Sequence, residues 1–235
     1  MHNRFKNKIL HSIILLLFLL TNHFSLSAAK VGSVNDLPLR ISTTKGSNET
    51  LILYLSGDGG WNKFTESLIG TFENHGYGFV ALSTRKYFWD EKSPETFARD
   101  MEEVASHYLT EWNKTSLIII GYSFGADVGS FLTNRFSAGL KKKVKKIVLL
   151  SPSSSSDFVI RLTDLIGVNE SFNRKYLVQP EIEKIGIPVV CIFGQEEIML
   201  LKKNLLKDKN VSIHDLPGDH QYQNNFALLL KTMGL

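Results

Sequence analysis

Cysteine is nearly absent from this sequence, which contains one such residue among 235. A single cysteine excludes an internal disulfide. It also argues against a lipoprotein, because Cys191 lies far from any site at which an N-terminal leader would be cleaved. Cys191 stands inside the apolar run Val189 to Phe193, so we expect a buried thiol in the protein core.

The N-terminus lacks an apolar run long enough for a comfortable membrane span, which takes about 20 residues. Its apolar stretch, Ile9 to Leu20, covers 12 residues and contains two polar interruptions. Small residues follow at Ser27 to Ala29, and three basic residues precede the stretch, at Arg4, Lys6 and Lys8. This pattern predicts a secretory signal over residues 1–29 and a periplasmic or secreted mature protein. An uncleaved N-terminal anchor is the alternative.

The mature chain also lacks an excess of charge. The full sequence has 27 Lys and Arg against 23 Asp and Glu, but residues 1–29 hold three of the basic residues and no acid, which leaves 24 against 23. A net charge of +1 gives no support for nucleic-acid binding, and we predict none. The remaining 206 of the 235 residues suit one domain, 30–235, with a sizeable core.

Short apolar runs recur along the rest of the chain and are bounded by Gly, Ser or Pro. Such runs suit strands that are buried on both faces of a parallel sheet. They are Leu51 to Leu55, Gly78 to Leu82, Leu117 to Ile120, Lys146 to Leu150 and Pro188 to Phe193. Weaker patterns predict an edge strand from Leu37 to Thr44 and a last, more polar strand from Val211 to Leu216.

Segments with helical spacing separate these strands. They are Trp61 to Asn74, Ser93 to Trp112, Phe124 to Phe136, Glu197 to Lys207 and Gln221 to Met233. Alternating strands and helices predict right-handed βαβ units. The predicted class is therefore α/β, with a mostly parallel open sheet and helices on both faces.

Two stretches interrupt this alternation. Ser151 to Glu183 is long and serine-rich at its start, with an amphipathic piece from Phe158 to Ile166. It follows the active edge of the sheet and predicts either a short cap over a pocket or a plain surface excursion. The basic run Lys141 to Lys146 can hold anionic lipid head groups, but it precedes its strand and so lies at the opposite edge, where a solvated loop is the better interpretation.

The motif Gly121-Tyr122-Ser123-Phe124-Gly125 follows an apolar strand and precedes a helical segment. In this context G-x-S-x-G is typical of a sharp turn that carries a nucleophilic serine, with glycines that let the strand and helix approach closely. We predict Ser123 as the nucleophile of an ester hydrolase. A serine that only caps the helix is the alternative.

A nucleophilic serine needs a histidine to take its proton and an acid to orient that histidine. In the predicted fold these residues follow in the order Ser, acid, His. His220 stands in the loop after the last strand, where the histidine belongs. The acid should follow the strand that ends near Gly194, and the candidates are Glu197, three residues beyond it, and Glu196. Either can instead stabilise the N-terminus of the next helix.

An oxyanion hole needs two backbone N–H donors. Phe124, directly after the nucleophile, supplies the first, and Asp58 or Gly59 in the loop Ser56 to Trp61 supplies the second. The loop lacks the lysine and hydroxyl pattern of a phosphate-binding loop. We expect neither a cofactor nor a metal ion for this chemistry.

Acidic and aromatic residues near these motifs suggest how a substrate is recognised. Asp58 and Asp127 can place negative charge beside the pocket and favour a cationic substrate, although Asp127 can equally be a favourable partner of a helix dipole. Tyr87, Phe88 and Trp89 follow the strand that ends at Leu82 and are candidates to line the pocket; for Phe88 and Trp89, packing in the core is the alternative.

Three motifs together resemble the family of the bacterial virulence protein VirJ and the C-terminal domain of AcvB. They are Leu55 to Trp61, Lys86 to Trp89 and Gly121 to Asp127. The resemblance implies an exported α/β-hydrolase whose catalytic serine and histidine correspond to Ser123 and His220, with the acid in the pair Glu196-Glu197. Asp58 and Asp127 match the family's acidic positions.

For the AcvB branch the resemblance implies hydrolysis of the aminoacyl ester on lysyl-phosphatidylglycerol at the periplasmic membrane face. We therefore expect an aminoacylated phospholipid or a small ester as substrate, with contact to a membrane surface. Two alternatives stay open: a general carboxylesterase or thioesterase, and a non-catalytic periplasmic adaptor built on the hydrolase fold.

Overall fold

Short strands organise the computed structural model, which describes residues 34–43, 48–160, 174–198, 200–205 and 210–235. The predicted signal segment, 1–29, lies outside these residues. The strands are β1 (Leu39–Ser42), β2 (Thr50–Leu55), β3 (Gly78–Leu82), β4 (Ser116–Tyr122), β5 (Val144–Leu150), β6 (Ser155–Ser156), β7 (Tyr176–Leu177), β8 (Val189–Gly194) and β9 (Val211–Leu216).

Seven of these strands form one sheet in the order β1-β3-β2-β4-β5-β8-β9. All neighbours pair in parallel except β1, which runs antiparallel to β3 at one edge. The mostly parallel sheet and its edge strand confirm the predicted class. Because the carboxyl ends of parallel strands meet at one edge, the loops after β2, β4, β8 and β9 gather there.

Helices cover both faces of the sheet. They are α1 (Lys63–Asn74), α2 (Thr84–Tyr87), α3 (Pro94–Glu111), α4 (Phe124–Gly129), α5 (Ala138–Lys141), α6 (Gln179–Glu183), α7 (Leu200–Asn204) and α8 (Phe226–Met233). Within the described ranges, none is long and apolar enough to cross a membrane.

Alternate residues of the inner strands enter two separate cores. Leu53 of β2 packs with Phe97 and Met101 of α3 in one core. Tyr54, the next residue, packs with Leu68 of α1 and Leu229 of α8 in the other. This alternation follows from the two-residue repeat of a strand and explains why the runs are apolar at every position. Cys191 is buried in the first core, as predicted, and burial raises the pKa of its thiol to about 12.

Three helices are shorter than the sequence predicts. α4 ends at Gly129, and the chain continues in tight turns in which the Ser130 hydroxyl donates to the Asp127 carbonyl oxygen at 2.6 Å. Such side-chain bonds to the backbone compete with helical ones. α7 begins at Leu200, well after Glu197, and α8 begins at Phe226, after a turn in which Tyr222, Gln223 and Asn224 all have positive φ.

The stretch from Ser151 to Glu183 is described only in part, since residues 161–173 of the predicted amphipathic piece lie outside the described ranges. Its described residues contain a small antiparallel pair, β6 with β7, and helix α6. The basic run lies away from the edge where the strands end, as predicted, but it is not simply a loop, because Lys141 ends α5 and residues 144–146 belong to β5. There the Lys146 ammonium group donates to the Gly234 carbonyl oxygen at 2.9 Å.

Candidate active site

The turn at Ser123 joins β4 directly to α4. Ser123 has φ 53° and ψ −122°, a backbone conformation that residues with a side chain rarely adopt. A Cβ atom on Gly121 would lie 2.4 Å from the Gly125 carbonyl oxygen, and one on Gly125 would lie 2.3 Å from the Leu55 carbonyl oxygen. Only glycine fits either position, so the spacing of the motif is a direct requirement of this turn.

The Ser123 hydroxyl does not cap α4, although the residue occupies the N-cap position. The turn is instead held through the backbone, because the Ser123 N–H donates to the Leu150 carbonyl oxygen at 2.8 Å. The side chain is half-buried at the carboxyl edge of the sheet. The capping alternative for this serine therefore does not hold.

Glu197 and His220 form a hydrogen-bonded pair at the same edge. His220 Nδ1 lies 2.5 Å from Glu197 Oε1. The Glu197 side chain is 7% exposed and that of His220 is 41% exposed. A buried acid and a more open imidazole are the arrangement needed to orient a histidine whose other ring nitrogen faces a substrate.

Two further donors hold the Glu197 carboxylate. The Gly194 N–H donates to Oε2 at 2.5 Å, and the Ser151 hydroxyl donates to the same oxygen at 2.7 Å. Burial by itself raises the pKa of the Glu197 carboxyl, but the hydrogen bonds from His220, Ser151 and Gly194 outweigh it and hold the pKa below its usual range. Glu197 is therefore ionised at neutral pH.

Glu196 lies outside this arrangement. Its side chain is exposed, and its backbone N–H donates to the Gly218 carbonyl oxygen at 3.0 Å. Of the two candidate acids, the structure brings Glu197 to His220. Neither residue is part of a helix, because the Gly194-Glu197 contact closes a turn before α7 begins.

Tyr122 connects the histidine loop to the serine turn. Its hydroxyl donates to the His220 carbonyl oxygen at 3.2 Å, and the two rings lie 5.1 Å apart. Tyr122 directly precedes Ser123, so this contact ties the histidine loop to the end of the strand that carries the serine turn.

The loop after β2 approaches the serine from the other side. A Cβ atom on Gly57 would lie 3.3 Å from Ser123 Cβ, which brings the Asp58 and Gly59 backbone close to the turn. Within the described part of the chain, the N–H groups of Phe124, Asp58 and Gly59 donate to no protein acceptor. These are the three residues predicted to contribute to an oxyanion hole.

The predicted substrate-binding residues have different surroundings. Asp58 is half-buried in the loop beside Ser123. Asp127 is buried, and its carboxylate accepts from the Ser153 N–H at 2.6 Å and from the Ser153 hydroxyl at 2.7 Å. The carboxylate thus holds the start of the 151–183 segment against α4.

The aromatic candidates divide between core and surface. The Tyr87 ring packs against Phe88 and Phe97, and its hydroxyl donates to Asp100 Oδ2 at 2.6 Å. Phe88 is fully buried, whereas Trp89 is 58% exposed. The core alternative therefore holds for Phe88 and not for Trp89, and Tyr87, predicted to bind substrate, is buried with its hydroxyl on Asp100.

Sequence reasoning missed the residues that support the acid, Ser151 and Tyr222. Ser151 stands directly after β5, and Tyr222 stands two residues after His220. Their positions after strand ends were the available signal, but a serine-rich segment and a tyrosine near a helix are common, and neither pattern predicts which side chains turn inward.

A family model described as bacterial virulence protein (VirJ) matches residues 49–234. The chain belongs to this family. The match covers most of the sequence and includes the serine turn, the Glu197 loop and His220, so the predicted resemblance to VirJ is confirmed. A search of curated proteins finds no significant match.

Solved structures similar to this VirJ-family chain share its fold. Est1E from Butyrivibrio proteoclasticus, determined with ferulic acid bound, is 14% identical, with 83% of this chain and 91% of that chain covered and a TM-score of 0.55. An alpha-beta serine hydrolase homologue from Coxiella burnetii is 14% identical, with 84% and 90% covered and a TM-score of 0.57.

A lipase-esterase related protein from Clostridium acetobutylicum is 17% identical, with 84% of this chain and 96% of that chain covered and a TM-score of 0.53. At such low identity these likenesses show the fold alone. They confirm the predicted α/β-hydrolase fold.

Proposed function

We propose that this VirJ-family protein is an exported serine esterase that uses Ser123, His220 and Glu197. The observation that carries the proposal is the Glu197-His220 pair, with 2.5 Å between Oε1 and Nδ1, beside the strained turn at Ser123. An acid and a histidine that form a hydrogen bond without a catalytic role can occur anywhere on a protein surface. Beside a half-buried serine at a strand-to-helix turn, they form the arrangement for acyl transfer.

In the proposed reaction, the ionised Glu197 accepts the Nδ1 proton of His220 in a hydrogen bond, which leaves Nε2 as the basic nitrogen. Nε2 takes the Ser123 proton as Oγ attacks the ester carbonyl carbon. The same proton then goes to the leaving alcohol, and an acyl-serine remains. Water, deprotonated by Nε2, releases the acid and restores the serine.

The negative charge on the former carbonyl oxygen needs donors during both steps. The Phe124 N–H and the N–H of Asp58 or Gly59 are proposed for this role. Their support is the position of the two loops, which meet at Ser123, and the absence of competing acceptors among the described residues. Each such donor typically contributes a factor of about 100 to 1,000 in rate.

As substrate we propose the aminoacyl ester of lysyl-phosphatidylglycerol or a related aminoacylated lipid. Such an ester carries a protonated amine next to the scissile carbonyl. The half-buried Asp58 lies in the loop beside Ser123 and supports the choice by charge. Asp127 is a weaker partner for this amine, because Ser153 occupies its carboxylate.

The proposed location is the periplasm or the exterior, which follows from the signal pattern in residues 1–29. A lipid substrate there requires contact with a membrane surface. Cell fractionation checks the location, and recovery of the protein in the cytoplasmic fraction would contradict export.

The decisive experiment measures lysine release from vesicles that contain lysyl-phosphatidylglycerol. We expect release by the wild type, and we expect Ser123→Ala to remain folded and inactive. The matched control is Ser67→Ala, in helix α1. If the wild type is inert on the lipid but cleaves p-nitrophenyl acetate, a general carboxylesterase or thioesterase is the better assignment.

A fluorophosphonate probe separates enzymes from adaptors, because it reacts covalently only with an activated serine. We expect labelling of the wild type that is lost in Ser123→Ala. Absence of labelling in the wild type, together with inertness on both esters, would favour the non-catalytic adaptor.

The charge argument is tested with Asp58→Asn, which keeps the backbone N–H. We expect the preference for lysyl-phosphatidylglycerol over an N-acetylated counterpart to fall roughly two- to fivefold, the effect of one partly exposed ion pair. An unchanged preference would remove Asp58 from substrate recognition.

A further inference from the structure

A chain of buried hydroxyl groups leads away from the active-site acid. Ser151 Oγ lies 2.7 Å from Glu197 Oε2 and 2.5 Å from the Tyr222 hydroxyl oxygen. The Tyr222 hydroxyl also lies 3.1 Å from the Ile192 carbonyl oxygen. Both hydroxyl residues are 1% exposed, so within this arrangement water is not available to replace a missing partner.

Counting protons leaves two possible arrangements for this chain. Ser151 and Tyr222 bring two hydroxyl protons to three contacts, so one contact stays without a proton. A separation of 2.5 Å between the two hydroxyl oxygens requires a proton between them. If Tyr222 gave its proton to Ile192, Ser151 would have to turn toward Tyr222, and Glu197 would lose a donor.

The charge on Glu197 decides between the two arrangements. A hydrogen bond to an ionised acceptor is about twice as strong as one to a neutral carbonyl. The favoured order is therefore Tyr222 to Ser151 to Glu197, and the contact between Tyr222 and the Ile192 carbonyl is the one left without a proton. Burial raises the pKa of Tyr222, so its proton stays in place over the working pH range.

The backbone at Ser151 is constrained to make this contact. Its φ is +50°, in the left-handed region that a residue with a side chain enters at a cost. The Ser151 N–H donates to the Ile192 carbonyl oxygen at 2.8 Å, which pins the residue between β5 and β8. Two residues on, Ser153 is bound by Asp127 of the nucleophile helix. Both ends of Ser151–Ser153 are thus attached to site elements.

We propose that Ser151, supported by Tyr222, is a positioning residue that keeps the Glu197 carboxylate ionised and aimed at His220 Nδ1. Its effect on catalysis rests on the proposed esterase function, but its effect on Glu197 does not. Among the described residues, the titratable groups that face Glu197 are His220, Tyr222 and Tyr122, and burial raises the pKa of both tyrosines. Neither tyrosine adds a charge.

The test compares three variants of the full chain. Ser151→Gly removes the hydroxyl. Because glycine adopts a positive φ without strain, the relief of backbone strain offsets the stability lost with the side-chain hydrogen bonds. Tyr222→Phe removes only the supporting hydroxyl and keeps the ring near Phe64, 6.3 Å away. The matched control is Asn113→Gly, at a residue that also has a φ of +50° but lies between α3 and the start of β4, at the edge of the sheet opposite to the site.

The first readout is the titration of Glu197, monitored through its side-chain carboxyl carbon NMR signal in glutamate-labelled protein. The signal is assigned by its loss in Glu197→Gln. We expect the pKa of Glu197 to rise in Ser151→Gly, to rise less in Tyr222→Phe, and to stay unchanged in Asn113→Gly. The reason is that each of the first two changes removes or loosens a donor to the charged form.

The second readout is hydrolysis of p-nitrophenyl acetate as a function of pH. In Ser151→Gly we expect kcat to fall roughly 10- to 100-fold, as for loss of a hydrogen bond to a charged group, with KM nearly unchanged. A purely structural serine would leave the Glu197 titration unchanged.

The results separate this inference from the proposed function. An unmoved Glu197 titration in both Ser151→Gly and Tyr222→Phe overturns the positioning role, whatever happens to activity. A wild type that neither cleaves the ester nor reacts with fluorophosphonate overturns the esterase, and a raised Glu197 pKa in Ser151→Gly would still support the positioning role. If Ser151→Gly fails to fold, Tyr222→Phe gives the same decision.

Discussion

Glu197 Oε1 lies 2.5 Å from His220 Nδ1 across 23 positions of sequence, whereas the neighbouring Glu196 is exposed. The contact forms because β8 and β9 are parallel neighbours whose carboxyl ends meet at one edge. A Cβ atom on Gly194 would lie 2.3 Å from the Asp219 carbonyl oxygen, so the two loops touch through glycine. This close approach brings the Glu197 carboxylate to the His220 imidazole.

The two glutamates should therefore differ sharply in their effect on activity. Glu197→Gln removes the charge that orients and stabilises the imidazolium, and we expect kcat to fall roughly 1,000- to 10,000-fold. Glu196→Gln is the matched control, one residue away and exposed, and should stay within about twofold of wild type. Steady-state kinetics on p-nitrophenyl acetate measure both. Equal activity in the two variants would refute the assignment of the acid.

Glu197 should also stabilise the fold in a pH-dependent way. Its pKa in the folded protein lies below the ordinary value of 4.5, because the hydrogen bonds outweigh burial. The ionised carboxylate thus contributes stability that is fully present above the unfolded pKa and is lost as pH falls through the folded pKa. Urea unfolding of wild type and Glu197→Gln between pH 3 and 7 measures this. The stability advantage of the wild type should shrink below about pH 4.5; a difference that grows there would contradict the prediction.

The glycines of the serine turn should not tolerate a methyl group. In Gly121→Ala the new Cβ would lie 2.4 Å from the Gly125 carbonyl oxygen and 2.6 Å from Ala126 Cα, both backbone atoms that cannot move aside. We expect a loss of about 3 kcal/mol or more in the free energy of unfolding.

Gly70→Ala is the control for this loss. Gly70 lies in α1, and a Cβ there meets nothing within 4 Å, so we expect a gain of about 0.5–1 kcal/mol. Thermal and urea unfolding of both variants measure the contrast. Similar stabilities would show that the turn can relax around the added methyl group.

We expect the ion pairs of Arg135, which involve no active-site residue, to stabilise the folded protein. Its guanidinium contacts Glu181 Oε2 at 2.9 Å and Glu95 Oε1 at 3.1 Å. Burial raises the pKa of Glu181, but hydrogen bonds from Arg135, Asn134 and Lys184 outweigh burial and hold the pKa below its usual range. Arg135→Met leaves this carboxylate poorly paired, and we expect a loss of about 1–3 kcal/mol by urea unfolding.

Arg99→Met is the matched control for Arg135. Arg99 pairs with its neighbour Asp100 at 3.2 Å, and its side chain is 47% exposed, so we expect a change below about 0.5 kcal/mol. A loss in Arg99→Met as large as that in Arg135→Met would refute a specific role for the Glu181 contact.

The sequence by itself determined where the strands run and where the serine turn lies. Apolar runs without polar interruption mark strands buried on both faces, and two glycines around Ser123 mark the one place where strand and helix must nearly touch. Both are local properties, because burial and backbone conformation leave a pattern in consecutive residues. The position of His220 after the last strand followed from the order that the fold imposes.

Only the tertiary structure decided how side chains meet across those elements. Glu196 and Glu197 are identical residues in one loop, and the turn closed by Gly194 directs one toward His220 and the other toward solvent. Ser153 occupies the Asp127 carboxylate, and two buried hydroxyls support Glu197 from segments far apart in sequence. Such contacts depend on which strand ends become neighbours and on the direction of each side chain. A pattern in consecutive residues predicts neither of these two properties.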